Sequence, residues 1–201
     1  MIKRAFDVSA AFAGLLCLLP LFLLVAVMIK LDSDGPVFFR QERVGRGFRS
    51  FRIYKFRTMV RDAPRRGGSI TCGADPRITK IGRVWRRTKL DELPQLINVL
   101  KGDMSIVGPR PEVRQYVDCF RDDYEVILTV RPGITDLASL KFRDEAGLLA
   151  AFPNPEEMYV TCILPAKLHL GKEYVRGSSL VLDLAVIFKT LAALAGLRVS
   201  S

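Results

Sequence analysis

Lys89-Leu90-Asp91-Glu92-Leu93-Pro94-Gln95-Leu96 is followed by Lys101-Gly102-Asp103-Met104-Ser105 and then by Gly108-Pro109-Arg110-Pro111-Glu112. Proline is tolerated in the first turn of a helix and disruptive deeper in, so Pro94 predicts a helix that begins close to Asp91. Leu93, Leu96, Ile97 and Leu100 then share one apolar face at i, i+3, i+4 and i+7, and Gly102 is a natural stop. Asp91 and Glu92 therefore fall where unpaired N–H groups and the helix dipole favour negative charge. Two readings follow from these residues. In one, an ionised Asp91 is a nucleophile and the neighbouring Glu92 helps to hold a hard cation such as Mg²⁺, which takes one or two carboxylates plus phosphate oxygens and waters. In the other, Asp91 caps the helix and Glu92 is a solvated first-turn acid. The two stand level at this point.

Around this centre the chain is strongly basic. It carries 31 Lys and Arg against 21 Asp and Glu, a formal net charge of +10. The excess is concentrated: Arg40 to Lys89 holds sixteen cations and three acids, Glu42, Asp62 and Asp75. Such a stripe suits anionic lipid headgroups, phosphorylated substrates or nucleic acid, and charge alone does not choose among them. Pro109 and Pro111 fix the backbone on both sides of Arg110, which pre-orients its guanidinium for a bidentate phosphate contact. The plainer reading is a turn entering a helix from Glu112. Arg131-Pro132-Gly133 repeats the pattern.

The amino terminus tips the partner toward a membrane. Val8 to Ile29 is a run of 22 residues without formal charge, roughly 33 Å as a straight helix. Pro20 interrupts it, and Lys3 and Arg4 on one flank are matched by Lys30, Arg40 and Arg43 on the other, so both ends read as cytoplasmic. A helix bent at Pro20 that dips into the bilayer and returns satisfies these features; a kinked spanning helix is the competing reading. A cleavable signal peptide is not expected, because no small-residue cleavage site follows the apolar run. Farther on, Val37-Phe38-Phe39 and Phe51 to Phe56 read as strands of a small hairpin about Gly45-Arg46-Gly47. Residues 62–75, with Pro64, Gly67, Gly68 and Gly73, read as a loop near the site. Helical periodicity returns over Ile81–Arg87 and again, strongly apolar, over Leu180–Leu197, an amphipathic helix for the membrane surface or for the core. Cys17, Cys72, Cys119 and Cys162 have no paired spacing, and His169 is the lone histidine. Thiolate–metal and histidine catalysis are therefore not expected, which leaves carboxylates, arginines and a divalent metal. The scattered thiols suit a reducing cytoplasm.

The series Lys55-Phe56-Arg57-Thr58-Met59, Asp75-Pro76-Arg77-Ile78-Thr79, Leu90-Asp91-Glu92-Leu93-Pro94-Gln95, Gly108-Pro109-Arg110-Pro111 and Arg131-Pro132-Gly133-Ile134-Thr135 resembles the bacterial sugar transferases, the monotopic phosphoglycosyl transferases, over nearly the whole chain. The resemblance implies transfer of a sugar 1-phosphate from a UDP-sugar to undecaprenyl phosphate, releasing UMP, as the first membrane step of a surface glycan. It implies that Asp91 attacks the β-phosphate to form a covalent phosphosugar intermediate, and that Glu92, with Asp91, works with Mg²⁺. Lys55, Arg86, Arg110 and Arg143 are the expected phosphate or nucleotide contacts, with Arg87 beside them; Pro20, Pro109, Pro111 and Asp183 are the expected structural residues. The re-entrant helix is likewise a family feature.

The chain departs from the family pattern in four places. Leu19 stands where many relatives have Ser before the proline, Asp136 and Ser139 interrupt the commoner Thr-Gly-Leu-Ala-Gln run, and Gly177 takes the place of an Asn. The larger relatives' N-terminal transmembrane bundle is not expected here. The expected fold is α/β: a re-entrant membrane helix over 1–34, then a cytosolic catalytic domain over 35–201 with a small β-hairpin and surface helices around a compact core. The expected location is the cytoplasmic face of a bacterial inner membrane. The expected partners are UDP-sugar, undecaprenyl phosphate and anionic membrane lipids, with no nucleic acid and a homodimer left open. Two rival functions keep their place: a nucleotide-sugar hydrolase using the same carboxylates, and a non-enzymatic protein binding anionic membranes or ligands.

Overall fold

A computed structural model of the chain describes residues 1–66, 71–73 and 75–197. Part of the predicted loop over 62–75, at 67–70 and 74, lies outside the described residues, as does the end of the expected catalytic domain at 198–201. The fold is mixed α/β with a helical majority and two small sheets.

The apolar amino terminus forms one long helix, α1 (Ile2–Asp32), that continues through Pro20. It is long and apolar enough to cross a membrane. Only Asp7, Ala11, Val25 and Ile29 are buried along it, whereas Phe12, Leu16, Leu19, Leu23, Leu24 and Val27 are exposed. Both ends of α1 are fastened to the same body. Near the start, Arg4 Nη1 donates to Val99 O (2.7 Å), while the Asp7 carboxylate accepts from Ser105 Oγ (2.8 Å) and Ile106 N (3.0 Å). Near the end, Val25 and Ile29 pack with Phe56 and Trp85, and Arg57 Nη2 donates to Ser33 O (2.5 Å).

The hairpin is longer than its sequence suggests: β1 (Phe38–Val44) pairs antiparallel with β2 (Ser50–Phe56), from Phe38 opposite Phe56 to Val44 opposite Ser50. Its charged stretch Arg40-Gln41-Glu42-Arg43 hides the alternation, because that strand is only partly covered. Next come α2 (Lys80–Thr88) and α3 (Gln95–Lys101). Asn98, fully buried on α3, accepts from Tyr54 N (2.9 Å) and donates to Arg52 O (2.8 Å), so a side chain satisfies the free edge of β2 and locks α3 to it. Strand β3 (Ser105–Val107) precedes α4 (Arg114–Cys119) and α5 (Arg121–Ile127), so the helix expected from Glu112 starts two residues later. Strand β4 (Gly133–Thr135) lies parallel to β3. Then follow α6 (Leu137–Lys141), α7 (Glu145–Ala150), α8 (Pro155–Met158), a π-helical turn at Tyr159–Ile163, α9 (Leu164–Gly177) and α10 (Leu180–Leu194).

Helix α10 packs one face on the core, as one reading of its sequence expects, and leaves an apolar face exposed. Val186 packs with Val107 and Tyr174, while Val181, Leu184, Phe188 and Leu191 stay exposed. Asp183, 1 % exposed, is the structural acid of this corner: it accepts from Tyr174 OH (2.6 Å) and Lys3 Nζ (2.5 Å), joining α9, α10 and the start of α1. All four cysteines are free. Asp183→Ala removes the shared acceptor and is expected to cost about 2 kcal/mol, a fall of roughly 4–8 °C in melting temperature. Thermal unfolding of detergent-held protein checks this, with Tyr174→Phe giving the smaller loss.

Candidate active site

The turn that carries the two acids is made by an unusual junction. Helix α2 ends at Lys89, which has φ 59° and ψ 15°, a left-handed conformation uncommon for a side-chain-bearing residue. Burial of Trp85 and packing of Leu90 against the same cluster hold it in place. Leu90–Glu92 is then a 3₁₀ turn, and α3 proper starts only at Gln95, with Pro94 in the N-cap position. The helix expected to begin close to Asp91 therefore begins four residues later. Pro94 does mark its start, but the acids sit in the tighter turn before it.

That shift takes both acids out of solvent. Glu92 is 9 % exposed and Asp91 6 %, which removes the solvated first-turn reading for Glu92. Glu92 Oε1 accepts from Lys55 Nζ on β2 (2.9 Å) and Arg110 Nη2 (2.5 Å), and Oε2 accepts from Arg110 Nη1 (3.2 Å). Burial pushes the Glu92 carboxyl up, but Arg110 and Lys55 outweigh it and hold the group well below the usual carboxylate range. In return, Glu92 raises the Arg110 guanidinium above its ordinary value. Burial lowers Lys55, against the pull of Glu92.

Asp91 differs from its neighbour in its partners. No helix-capping bond is made by its side chain, and its Oδ1 is buried with no hydrogen-bond partner. Burial raises its carboxyl above the ordinary value, with Lys55 and Arg86 pulling down and Glu92 pushing up. Arg86, on the last turn of α2, donates from Nη2 to Thr71 Oγ1 (3.2 Å), while its Nη1 is also buried and unpartnered. Asp75 forms a fork with Arg77 (Nη2 to Oδ2, 2.7 Å) and acts electrostatically on Arg86. Buried polar atoms in folded proteins are nearly all satisfied, so an orphaned carboxylate oxygen and an orphaned guanidinium N–H in one charge cluster mark a place for a ligand.

Arg110 is aimed by its backbone. Its N–H donates to Asp136 Oδ2 (3.1 Å), and Asp136 Oδ1 accepts from Ser139 N (2.6 Å), capping α6. The flanking Pro109 and Pro111 are buried. Beneath them the chain crosses itself: Gly108 N donates to Thr135 O (3.1 Å), Gly133 N donates to Pro109 O (3.0 Å), and a Cβ on Gly133 would lie 2.1 Å from Gly108 N. Behind the turn, Glu112 accepts from Arg43 Nη1 (3.0 Å) and Tyr159 OH (2.8 Å).

The structure thus brings Asp91, Glu92, Lys55, Arg86 and Arg110 together. It leaves Arg143 exposed in the turn Phe142–Asp144 between α6 and α7, with no hydrogen bond or ion pair to this group among the described residues, and Arg87 exposed on α2. Residues that the sequence did not single out for the site are Thr71, Asn98 and Asp136. Asp136 had a visible signal, an Asp directly before an apolar helical run, which is an N-cap pattern. Its second bond, to Arg110 N, has no local signal.

A metal fits this donor set in one way. Among the described residues no group of three His, Cys, Asp or Glu forms a cage. The Asp91 carboxylate and the remaining lone pair of Glu92 Oε2 suit a hard cation that takes its other ligands from phosphate oxygens and water. Because Gly133 meets backbone rather than a flexible side chain, Gly133→Ala is expected to cost more than about 4 kcal/mol. Loss of folded protein on expression, with Gly177→Ala in open space unaffected, checks it.

Comparison with known proteins matches residues 1–196 to the family described as Bacterial sugar transferase. The chain is 40% identical over 193 residues to a UDP-N-acetylgalactosamine-undecaprenyl-phosphate N-acetylgalactosaminephosphotransferase of Aeromonas hydrophila, covering 94% of this chain and 43% of that protein. It is 38% identical over 200 residues to the Exopolysaccharide production protein PSS of Rhizobium leguminosarum bv. phaseoli, covering 96% and 94%. With an Undecaprenyl-phosphate glucose phosphotransferase of Komagataeibacter xylinus it shares 41% identity over 196 residues, 94% of this chain and 35% of that protein. The chain thus spans less than half the length of two of these relatives and nearly all of the third. With a family match over nearly its full length and the Asp91–Glu92 turn docked on Arg110, the chain belongs to the bacterial sugar transferase family.

Proposed function

We propose that the chain is a phosphoglycosyl transferase that moves a sugar 1-phosphate from a UDP-sugar to undecaprenyl phosphate, releases UMP and starts a surface glycan. The observation that carries the reading is the buried, unpartnered Asp91 Oδ1 beside a Glu92 whose charge is already claimed by Lys55 and Arg110. Asp91 Oδ1 attacks the β-phosphorus; an O–P bond forms to the carboxylate, the P–O bond to UMP breaks, and UMP leaves with its electron pair. A phosphate oxygen of undecaprenyl phosphate then attacks the same phosphorus, the acyl phosphate bond breaks and the Asp91 carboxylate is restored. The lipid leaves as a diphospho-sugar.

The remaining residues bind and neutralise. Arg86, with a free buried N–H, and Arg110, whose fork is held by Glu92, face the diphosphate charge; Lys55 holds Glu92 in place. Mg²⁺, held by Asp91 and Glu92, would offset negative charge on the diphosphate as it reacts. Arg143, at the surface, serves best as a contact to the outer part of the donor.

The membrane reading rests on α1. Arg4 and Asp7 at its start and Ile29 and Ser33 at its end bond to one body, which a helix crossing a bilayer of about 30 Å cannot do without drawing that body into the hydrocarbon. In this reading α1 enters at Pro20's depth and returns to the cytoplasmic face of the inner membrane, with its exposed Phe12–Val27 residues in lipid. The exposed side of α10 lies on the same surface, and the basic stripe meets anionic lipids.

The test is UMP release by detergent- or nanodisc-held protein from a panel of UDP-sugars with Mg²⁺, with and without undecaprenyl phosphate, alongside protein labelling from β-³²P-UDP-sugar. Lipid-dependent release and a label on the protein are expected, both falling more than about 10³-fold in Asp91→Asn. Arg110→Lys, which keeps charge but loses the fork, is expected to lower kcat/KM about 10²-fold. Chelation of Mg²⁺ is expected to stop release and re-addition to restore it. Release that ignores the lipid acceptor would make the protein a hydrolase, and release unchanged in Asp91→Asn would remove Asp91 as nucleophile.

A further inference from the structure

A second concentration of positive charge lies away from Asp91. A cleft of about 610 Å³ opens at the far end of the hairpin, between the loop Gly45–Ser50 and the end of α3, and is lined by Arg46, Arg49, Lys101 and Arg131 with one acid, Asp103. It is about 13 Å from Lys55, counted as four residues along β2 from Phe51. None of the residues that hold Glu92 or face Asp91 lines it.

The cations here lack the counter-charge that the active site has. Among the described residues, none of Arg46, Arg49, Lys101 and Arg131 forms an ion pair with a carboxylate. Lys101 Nζ donates to Tyr54 OH (2.9 Å), and Arg131 Nε donates to Gly102 O (2.8 Å), both neutral partners. Asp103 is occupied: its Oδ2 accepts from Asn98 Nδ2 (3.2 Å). Arg4 stands behind the cleft, 3.5 Å from the position a Cβ on Gly102 would take. Burial lowers the Arg131 guanidinium, and Arg4 and Arg46 lower it further, so the cations repel one another. Four cations against one acid leave the cleft net positive, and guanidinium groups so placed recognise phosphate, often with two hydrogen bonds per arginine.

The position of the cleft names the source of that phosphate. Arg4 belongs to the first turn of α1, and Ile2, Val8 and Phe12 beside it are exposed apolar residues. A cleft at this end of α1 is at headgroup depth when α1 is in lipid. We propose that the Arg46–Arg49–Lys101–Arg131 cleft is a binding site for the phosphate of an anionic phospholipid headgroup, separate from the site of transfer. The inference rests on the membrane placement of α1 proposed above, but not on the transferase chemistry. Occupied by a headgroup, the cleft fixes how the body is turned on the membrane, and with it where Asp91 meets a lipid-borne acceptor.

The test uses the full chain in uncharged detergent and reads heats of binding without turnover. Dihexanoyl phosphatidylglycerol below its micelle concentration, dihexanoyl phosphatidylcholine and inorganic phosphate are titrated into the unaltered protein, Arg46→Gln/Arg49→Gln, Arg46→Lys/Arg49→Lys and Arg110→Gln. Arg46 and Arg49 are exposed, and among the described residues their side chains form no hydrogen bond or ion pair, so the paired variants are expected to fold. Each basic residue at an anionic surface is worth about a factor of five, so saturable phosphatidylglycerol binding is expected to weaken about 25-fold in the Gln pair. It is expected to persist in the Lys pair and in Arg110→Gln, and phosphatidylcholine is expected not to bind. Phosphatidylglycerol affinity equal in the Gln pair, or lost in Arg110→Gln, would overturn the site. Binding of inorganic phosphate that falls in the Gln pair, with no phosphatidylglycerol binding, would overturn the lipid as its source and assign the cleft to a soluble phosphate.

Discussion

Three separate parts of the chain meet at the Glu92 carboxylate. Lys55 comes from the open end of the hairpin, one residue before β2 ends, Arg110 from the turn after β3, and Glu92 from the 3₁₀ turn before α3. A buried ion pair of this kind adds little net stability, because removing each charge from water costs about as much as the pairing returns. What it supplies is uniqueness of geometry: with Glu92 removed, two cations would be left in a poorly hydrated site, so no alternative packing of these turns is tolerated. The backbone beneath is built to the same standard. Gly108 and Gly133 cross too closely for any side chain, and Asp136 holds the Arg110 N–H, so the guanidinium arrives at Glu92 with its direction already set.

The parts of this arrangement that were readable in the sequence are those with local causes. Pro94 marks a helix start because a ring without an N–H fits only there, Pro109 and Pro111 mark a rigid arginine, and Gly102 ends α3 with φ 89°. The acids of the site were visible for the same reason. What was hidden depends on partners distant in the chain. Nothing near Glu92 says that Lys55 and Arg110 will both reach it, and the 3₁₀ turn exists because Lys89 takes a left-handed conformation that only the packing of Trp85 and Leu90 explains. Asn98 looks like an ordinary polar residue on the far side of an amphipathic helix until the edge of β2 is placed beside it. Strand β1 was underestimated because its polar residues face a half-open surface, where alternation is blurred. For α1 the apolar run was plain, but its fastening at both ends was not, since Arg4 and Asp7 find their acceptor and donors about a hundred residues away.

The contrast between Asp91 and Glu92 is the step that turns this geometry into chemistry. Two adjacent carboxylates left in the same environment would compete for protons and cations and have no distinct roles. Here the environments separate them. Glu92 spends both oxygens on cations, stays ionised and raises the proton affinity of its neighbour, whereas Asp91 keeps Oδ1 free in a buried position with Lys55 and Arg86 near enough to favour its charged form. In the proposed reaction Asp91 is the nucleophile of the two, and a carboxylate oxygen without a hydrogen-bond donor suits that role because no donor has to be given up when it attacks. The anionic partner that would hold its place between Asp91 and Arg86 must bring its own charge balance, which a diphosphate with a divalent cation does and a neutral sugar does not. The division of labour between the two acids, rather than the presence of either, is therefore what suits this site to phosphate.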